Sequence, residues 1–112
     1  MEPSESPRNA VHREAREELG FDVAIGQLLV IDWVPPGALP DDGLMLIYAA
    51  GPFDTSQIAL PQNELRSWEW CDRDTVMARV PDFMSRRVDA ALQALASGSI
   101  AELQNGYVVD SR

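Results

Sequence analysis

The sequence predicts an α+β fold in a single domain, and three observations support that prediction. Apolar residues recur at helical spacing in two longer segments, at residues 7–19 and 81–96. Between these segments, β-branched and aromatic residues dominate several short runs, which is typical of strands. A chain of 112 residues can bury one hydrophobic core but leaves little for a second. We therefore expect one domain over residues 1–112.

The first helix is predicted to run from about Pro7 to Leu19. Ser6 can accept hydrogen bonds from the free N–H groups of the first turn, and proline at the first helical position gives up no donor that the helix needs. Gly20 can adopt the left-handed conformation that commonly ends a helix. One apolar stripe should pack this helix on a sheet, and it consists of Val11, Ala15 and Leu19.

Three strands are predicted after this helix. Residues 23–34 are rich in β-branched and aromatic side chains. A polar loop follows, and then residues 44–50 form a nearly continuous apolar run, which predicts a strand that is buried on both faces and pairs with the first. A short strand is predicted at residues 65–72, where Trp68 and Trp70 share one face.

The C-terminal part is predicted to contain two helices and a hairpin. Asp72 or Asp74 can cap a brief helix at residues 74–80, and a longer helix should cover residues 81–96. The dipeptide Asn105-Gly106 lies between two short β-like runs and is typical of a type I′ hairpin turn. The apolar side of the longer helix is expected to consist of Phe83, Val88, Ala91, Leu92 and Leu95.

Composition and charge exclude several classes of function. The formal net charge of −9 opposes binding to the phosphate backbones of nucleic acids. No apolar run is long enough to span a membrane, and the N-terminal residues are acidic where a secretory signal would be basic and then apolar. Cys71 is the only cysteine, which excludes an internal disulfide, and we expect it to be a buried strand residue. We predict a cytoplasmic protein.

The helix at residues 7–19 carries an unusual cluster of acidic residues. Glu14, Glu17 and Glu18 lie within one turn of each other, and like charges at this spacing repel. A divalent cation would remove the repulsion, because carboxylate oxygens are the ligands that Mg²⁺ prefers. Arg13 can pair with Glu17 four residues on and orient its carboxylate. The alternative is a solvated helix face with incidental ion pairs, which is the usual explanation of a charge run.

The spacing in this segment resembles the second half of the Nudix box, G-x5-E-x7-R-E-U-x-E-E-x-G-U, where U is a bulky apolar residue. Glu5 stands at the first glutamate of the box, and the run from Arg13 to Phe21 begins seven residues later. Only Ala15 departs from the pattern, because alanine is smaller than the bulky apolar residue specified at this position. Several specified residues at fixed offsets are a more specific signal than a short phosphate-loop motif. The box glycine would fall before Met1, so we expect a Nudix-type domain that is incomplete at its N-terminus.

The resemblance implies a Nudix-type α/β/α sandwich with a mixed sheet, lacking the N-terminal strands of the family. It also implies an enzyme that hydrolyses phosphoanhydride bonds in a nucleoside diphosphate linked to another group. The implied metal ligands for Mg²⁺, with Mn²⁺ as the alternative, are Glu14, Glu17 and Glu18. The implied catalytic residues are Glu14, Glu17 and Glu64, although a surface role for Glu64 is equally consistent with the sequence. The implied supporting residues are Glu5, Arg13 and Gly20.

The motif has two competing interpretations. The intact glutamate set favours a pyrophosphohydrolase that acts on a nucleotide-type small molecule, with a homodimer left open. The missing N-terminal strands favour a catalytically silent binding module or a truncated fragment. The substrate is not readable from the sequence. Arginines 66, 86 and 87 are candidates for phosphate contact, but solvated structural roles are more common for such residues.

Overall fold

The computed structural model describes residues 4–37, 40–52, 56 and 71–109. These residues form three helices and four strands, so the predicted α+β class is confirmed. The elements are α1 (Pro7–Leu19), β1 (Ile25–Val34), β2 (Gly43–Ala50), α2 (Arg73–Arg79), α3 (Asp82–Ser97), β3 (Ala101–Gln104) and β4 (Tyr107–Val108).

The four strands form a mixed sheet in the order β2-β1-β3-β4. The expected adjacency of the first two strands is confirmed, although β1 begins two residues later than predicted. After β2 the chain passes through α2 and α3 before β3 lies parallel to β1, with Val30 opposite Ala101 and Asp32 opposite Leu103. β4 then runs antiparallel to β3. Of the strand predicted at 65–72, residues 65–70 lie outside the described residues.

The chain divides into two compact units. The first unit comprises Met1–Gly26 and Ala50–Trp70, and it contains α1. The second unit comprises Gln27–Ala49 and Cys71–Arg112, and it contains most of the sheet together with α2 and α3. The expectation of a single domain over residues 1–112 stays a prediction.

In the second unit, α3 packs against the sheet through alanines. Ala90, Ala91 and Ala94 are buried, and they form one cluster with strand side chains that include Val30 and Leu103. The predicted apolar side of α3 is therefore largely wrong. Its larger side chains are exposed, whereas alanines occupy the positions that pack against the strands. The exposed ones are Phe83, Leu92 and Leu95.

The expectation that β2 is buried on both faces is also wrong. Leu44 is 68% exposed, and the residues from Met45 to Ala49 are only half-buried. Among the described strands, β2 lies at one end of the sheet, so it has a strand neighbour on one side only. Its apolar composition therefore does not translate into complete burial.

A buried ion pair connects α3 with the middle of the sheet. Asp32 on β1 is completely buried, and Arg87 on α3 is 3% exposed. The Arg87 Nε–H donates to Oδ2 of Asp32, and the backbone N–H of Gly106 donates to Oδ1 at 3.1 Å. Each carboxylate oxygen thus has a partner, as a charge removed from water requires. The solvated role that the sequence suggested for Arg87 is wrong.

The turn between β3 and β4 has the conformation that its sequence predicts. Asn105 has φ +51° and Gly106 has φ +83°, and positive values at both central residues define a type I′ turn. The backbone N–H of Asn105 donates to the carbonyl of Trp33 at 2.7 Å. The guanidinium of Arg86 lies close against Gly106, where an added Cβ would be 3.1 Å from Nε. Its carbon is 4.1 Å from the centroid of the Tyr107 ring.

Capping and ion pairs define α2. The side chain of Asp72 accepts from the backbone N–H of Thr75 at 2.8 Å, so the choice between two predicted caps falls on Asp72. Hydrogen bonds from the Thr75 side chain and backbone hold the pKa of Asp72 below its ordinary value. Asp89 on α3 accepts from Arg73 at 2.8 Å, and this contact raises the pKa of Arg73.

Cys71 is half-buried and precedes α2 outside any strand, which corrects the expectation of a buried strand residue.

The buried ion pair gives a double-mutant prediction. Asp32→Leu alone should lower the free energy of unfolding by about 3–5 kcal/mol, because it leaves the Arg87 charge buried without its partner. The double variant Asp32→Leu/Arg87→Met should lose less than the sum of its two single variants, since both buried charges are then gone. Urea unfolding followed by circular dichroism measures the cycle. Losses that add within about 0.5 kcal/mol would contradict coupling.

The hairpin turn gives a prediction with a matched control. Gly98 has φ +69° and nothing within 4 Å of an added Cβ, whereas Gly106 has both a positive φ and the close guanidinium of Arg86. Gly98→Ala should therefore cost about 1–2 kcal/mol from backbone strain alone. Gly106→Ala should cost more, because the side chain of Arg86 must also move. Thermal unfolding compares the two, and equal losses would show that the guanidinium contact does not matter.

Candidate functional site

The ends of α1 lie where the sequence predicts them. The Oγ of Ser6 accepts from the backbone N–H of Asn9 at 3.2 Å, and Pro7 occupies the first helical position. At the other end Gly20 is left-handed, with φ +85°, and its N–H donates to the carbonyl of Arg16 at 2.9 Å. The acidic side chains of the helix are thus carried on a regular helix with defined start and stop.

Arg8 joins the start of α1 to the start of β1. Its Nη1 donates to the carbonyls of Ile25 at 3.0 Å and Gly26 at 2.8 Å. These two carbonyls belong to the first two residues of the strand, so a single guanidinium nitrogen holds helix and strand together within the first unit. The sequence offered no signal for this contact.

Arg13 is the centre of the acidic cluster. It grips Glu5 with two parallel hydrogen bonds, from Nε to Oε2 at 2.9 Å and from Nη2 to Oε1 at 3.1 Å. Its Nη1 lies 3.3 and 3.4 Å from the two oxygens of Glu17, and its Nη2 lies 3.6 Å from Oε1 of Glu14. The predicted pair with Glu17 is confirmed. Three carboxylates therefore surround one guanidinium.

The contacts of Arg13 differ in strength. The Glu5 side chain is only 17% exposed, and its fork-to-fork geometry is the strong form of an arginine–carboxylate pair. The Glu17 side chain is 62% exposed and its bonds are long, so water screens that pair and reduces its contribution. Arg13 is consequently fixed by Glu5 and only loosely held by Glu17. Glu5 and Arg13 stand eight residues apart in the motif, but that offset alone does not predict a pair between them.

The donor set of α1 suits a hard divalent cation, but the described residues do not present an assembled site. Glu14, Glu17 and Glu18 are exposed carboxylates on neighbouring turns, and oxygen ligands of this kind are what Mg²⁺ prefers. Within residues 4–37, 40–52, 56 and 71–109, no three His, Cys, Asp or Glu side chains are grouped closely enough to hold a metal. The role of the three glutamates as ligands stays a prediction.

Glu64 lies outside the described residues, so its catalytic role also stays a prediction. Next to Gly20, the carboxylate of Asp22 lies 3.6 Å from Nε of Arg16 and 3.8 Å from Nε2 of His12. Three basic residues of α1 thus lie close to acidic side chains, namely His12, Arg13 and Arg16.

Comparison with known families supports the motif. The family model described as the NUDIX domain matches residues 1–91 of this chain. No curated protein and no solved structure was found to match. Of the helices in the described part of the chain, none combines the length and the apolar character needed to cross a membrane.

The graded contacts of Arg13 give a prediction about α1. Arg13→Lys should destabilise α1 by about 1 kcal/mol, because an ammonium cannot donate to both oxygens of Glu5 in the fixed fork of a guanidinium. Hydrogen exchange of the α1 amides measures the free energy of local opening.

Arg16→Lys is the matched control for this prediction. Arg16 lies on the same helix, its side chain is 68% exposed, and its ion pair with Asp22 is long. Its replacement should change the opening free energy by less than about 0.5 kcal/mol. Equal effects of the two variants would show that the grip on Glu5 does not stabilise the helix.

Proposed function

The chain belongs to the Nudix family, and from this premise we propose that it is a divalent-metal-dependent pyrophosphohydrolase. The substrate class is a nucleoside diphosphate linked to another group. The observation that carries the proposal is the arrangement around Arg13, in which Glu5 fixes the guanidinium and Glu14 and Glu17 lie next to it on α1. The family match includes α1, and the arrangement around Arg13 also supports α1 as the segment that carries the active site.

The proposed ligands are Glu14, Glu17 and Glu18, with Mg²⁺ as the metal and Mn²⁺ as the alternative. A bound metal would neutralise the charge of the pyrophosphate and make water a better nucleophile. Glu17 can turn toward a metal at small cost, because its bonds to Arg13 are long and exposed. Arg13 keeps its position meanwhile, since the grip on Glu5 does not involve the ligands. We therefore assign Arg13 and Glu5 a positioning role.

The proposed reaction is a simple hydrolysis. Water adds to one phosphorus of the pyrophosphate, and the bond from that phosphorus to the bridging oxygen breaks. A carboxylate takes the proton of the attacking water, and the candidates are Glu14, Glu17 and Glu64. The two phosphate products together contain the atoms of the water. Gly20 contributes the sharp turn that ends the acidic helix.

A catalytically silent binding module is the second candidate. The observation that favours it is that the guanidinium of Arg13 lies 3.3 Å from Glu17 and 3.6 Å from Glu14, so it already compensates part of the charge that a metal would otherwise neutralise. In such a module the cluster would serve as a structural ion-pair network. The cytoplasmic location, the absence of nucleic-acid binding and the homodimer remain predictions.

Metal titration and hydrolysis assays test the proposal together. Mg²⁺ and Mn²⁺ should bind the wild-type chain in calorimetry, and Glu17→Gln and Glu18→Gln should each abolish that binding. A screen of ADP-ribose, nucleoside triphosphates, nucleotide sugars and dinucleoside polyphosphates should then show metal-dependent hydrolysis. If Glu64 is the base, Glu64→Gln should keep metal binding but lower the rate by roughly 10²–10⁴-fold.

Asp41→Asn is the matched control, because it also replaces an exposed carboxylate by an amide but lies in the loop before β2. It should leave metal binding and hydrolysis unchanged. Metal binding without hydrolysis of any substrate class would favour the silent module. A folded wild-type chain that binds no metal would overturn the enzyme proposal.

A further inference from the structure

The sheet of the second unit has a groove on the face that α3 does not cover. In the parallel pair of β1 and β3, Ile31 lies beside Glu102 and Trp33 lies beside Gln104. These positions alternate with the residues that face α3, so their side chains project from the opposite face. The groove has a volume of about 370 Å³ and belongs entirely to the second unit. We call it the sheet groove, and its lining includes Ile31, Trp33, Leu44, Ile100, Glu102 and Gln104.

Trp33 provides a fixed aromatic surface in the sheet groove. Its indole Nε1–H donates to Oδ2 of Asp42 at 2.8 Å, which holds the ring in one orientation. The residue is nevertheless 40% exposed. Leu44 and Ile100 are 68% and 53% exposed, so apolar surface flanks the indole. Exposed apolar surface of this kind, with a few polar groups at its border, is typical of a binding site.

The polar groups of the sheet groove select for N–H donors. Among the described residues of the lining, Glu102 is the only ionisable one, and its carboxylate only accepts hydrogen bonds. Gln104 adds an amide that both donates and accepts. None of the lining residues that the structure describes is a cation that could hold a phosphate. The groove therefore suits a flat, uncharged ring with N–H groups along its edge.

We infer that the sheet groove binds a nucleobase, stacked on Trp33 and read at its edge by Glu102. Guanine fits this chemistry best, because its N1–H and its amino group are adjacent donors that one carboxylate can accept together. Stacking on an aromatic side chain is tolerant of the base, whereas the carboxylate supplies the preference. The inference rests on the proposed function only in taking nucleotides as the ligand class, and it requires no contact with the acidic helix.

A second copy of the chain is a less suitable occupant. The chain has a formal net charge of −9, and the sheet groove contains Glu102 with Asp42 at its border. Two copies that met through this surface would bring these like charges together. A neutral nucleoside avoids that repulsion.

Binding of nucleosides to the metal-free wild-type chain tests the inference without any phosphate chemistry. Guanosine should shift the Trp33 indole N–H signal in heteronuclear NMR spectra in a saturable way, with a dissociation constant of about 1 mM or tighter. The signal is assigned from its absence in Trp33→Phe. The analogue 1-methylguanosine lacks the N1–H and should bind more weakly than guanosine.

Substitutions separate stacking from edge recognition. Both Trp33 variants lack the indole signal, so their binding is followed by the backbone amide signals of β1 and β3. Trp33→Ala should weaken guanosine binding by about fivefold or more, and Trp33→Phe should restore most of it. Glu102→Gln should remove the preference for guanosine over 1-methylguanosine but retain stacking. Leu95→Ala is the control, because Leu95 is also an exposed apolar residue but lies on α3. This variant should bind guanosine as the wild type does.

Three results would overturn the inference. The first is a folded wild-type chain whose Trp33 signal does not shift with guanosine. The second is binding that Trp33→Ala and Glu102→Gln leave unchanged. The third is a Trp33 signal that moves with protein concentration alone, which would assign the groove to a second copy. None of these results bears on metal binding by α1, so the two proposals succeed or fail separately.

Discussion

Two charged groups that are buried on folding each lose several kcal/mol of hydration free energy. The folded structure must offset this loss with well-placed hydrogen bonds and ion pairs. In the second unit this loss is offset at Asp32, whose two carboxylate oxygens accept hydrogen bonds from Arg87 and from the backbone N–H of Gly106. Three elements distant in the sequence are thereby connected: the C-terminal part of β1, one face of α3 and the turn after β3. A shift of any one would leave a buried charge without a partner. The register of the sheet and the position of α3 depend on this pair.

Local signals predicted the elements whose ends are chemically marked. Ser6, Pro7 and Gly20 predicted the observed bounds of α1, and Asn105-Gly106 predicted the type I′ turn. These positions could be read because each rests on the conformational preference of one or two residues. The positions of side chains within the packed structure were harder to read. The sequence contains an isolated aspartate in the apolar strand β1, which is a signal for Asp32, but its partner lies 55 residues away.

The candidate site shows the same division. The spacing of Glu14, Glu17 and Glu18 on one helix follows from helical geometry, and the pair of Arg13 with Glu17 could be predicted from it. The bidentate grip on Glu5 could not, because Glu5 precedes the helix and its position depends on how the chain enters the first turn. The structure also distinguishes the carboxylates of the cluster. Glu5 holds the guanidinium of Arg13, whereas Glu14 and Glu17 remain exposed.

The composition of α3 has a consequence for the interpretation of sequence variants. A scale of residue hydrophobicity would rank Phe83, Leu92 and Leu95 as the sensitive sites of this helix, and it would treat the alanines as neutral spacers. The packing indicates the reverse order, because Ala90 and Ala94 lie against the strands and the large side chains face outward. Replacing a buried alanine by a larger residue overpacks the core and typically costs about 1–3 kcal/mol. Among natural variants of this protein, an alanine-to-valine change at a buried position of α3 is therefore expected to be more destabilising than the replacement of an exposed leucine.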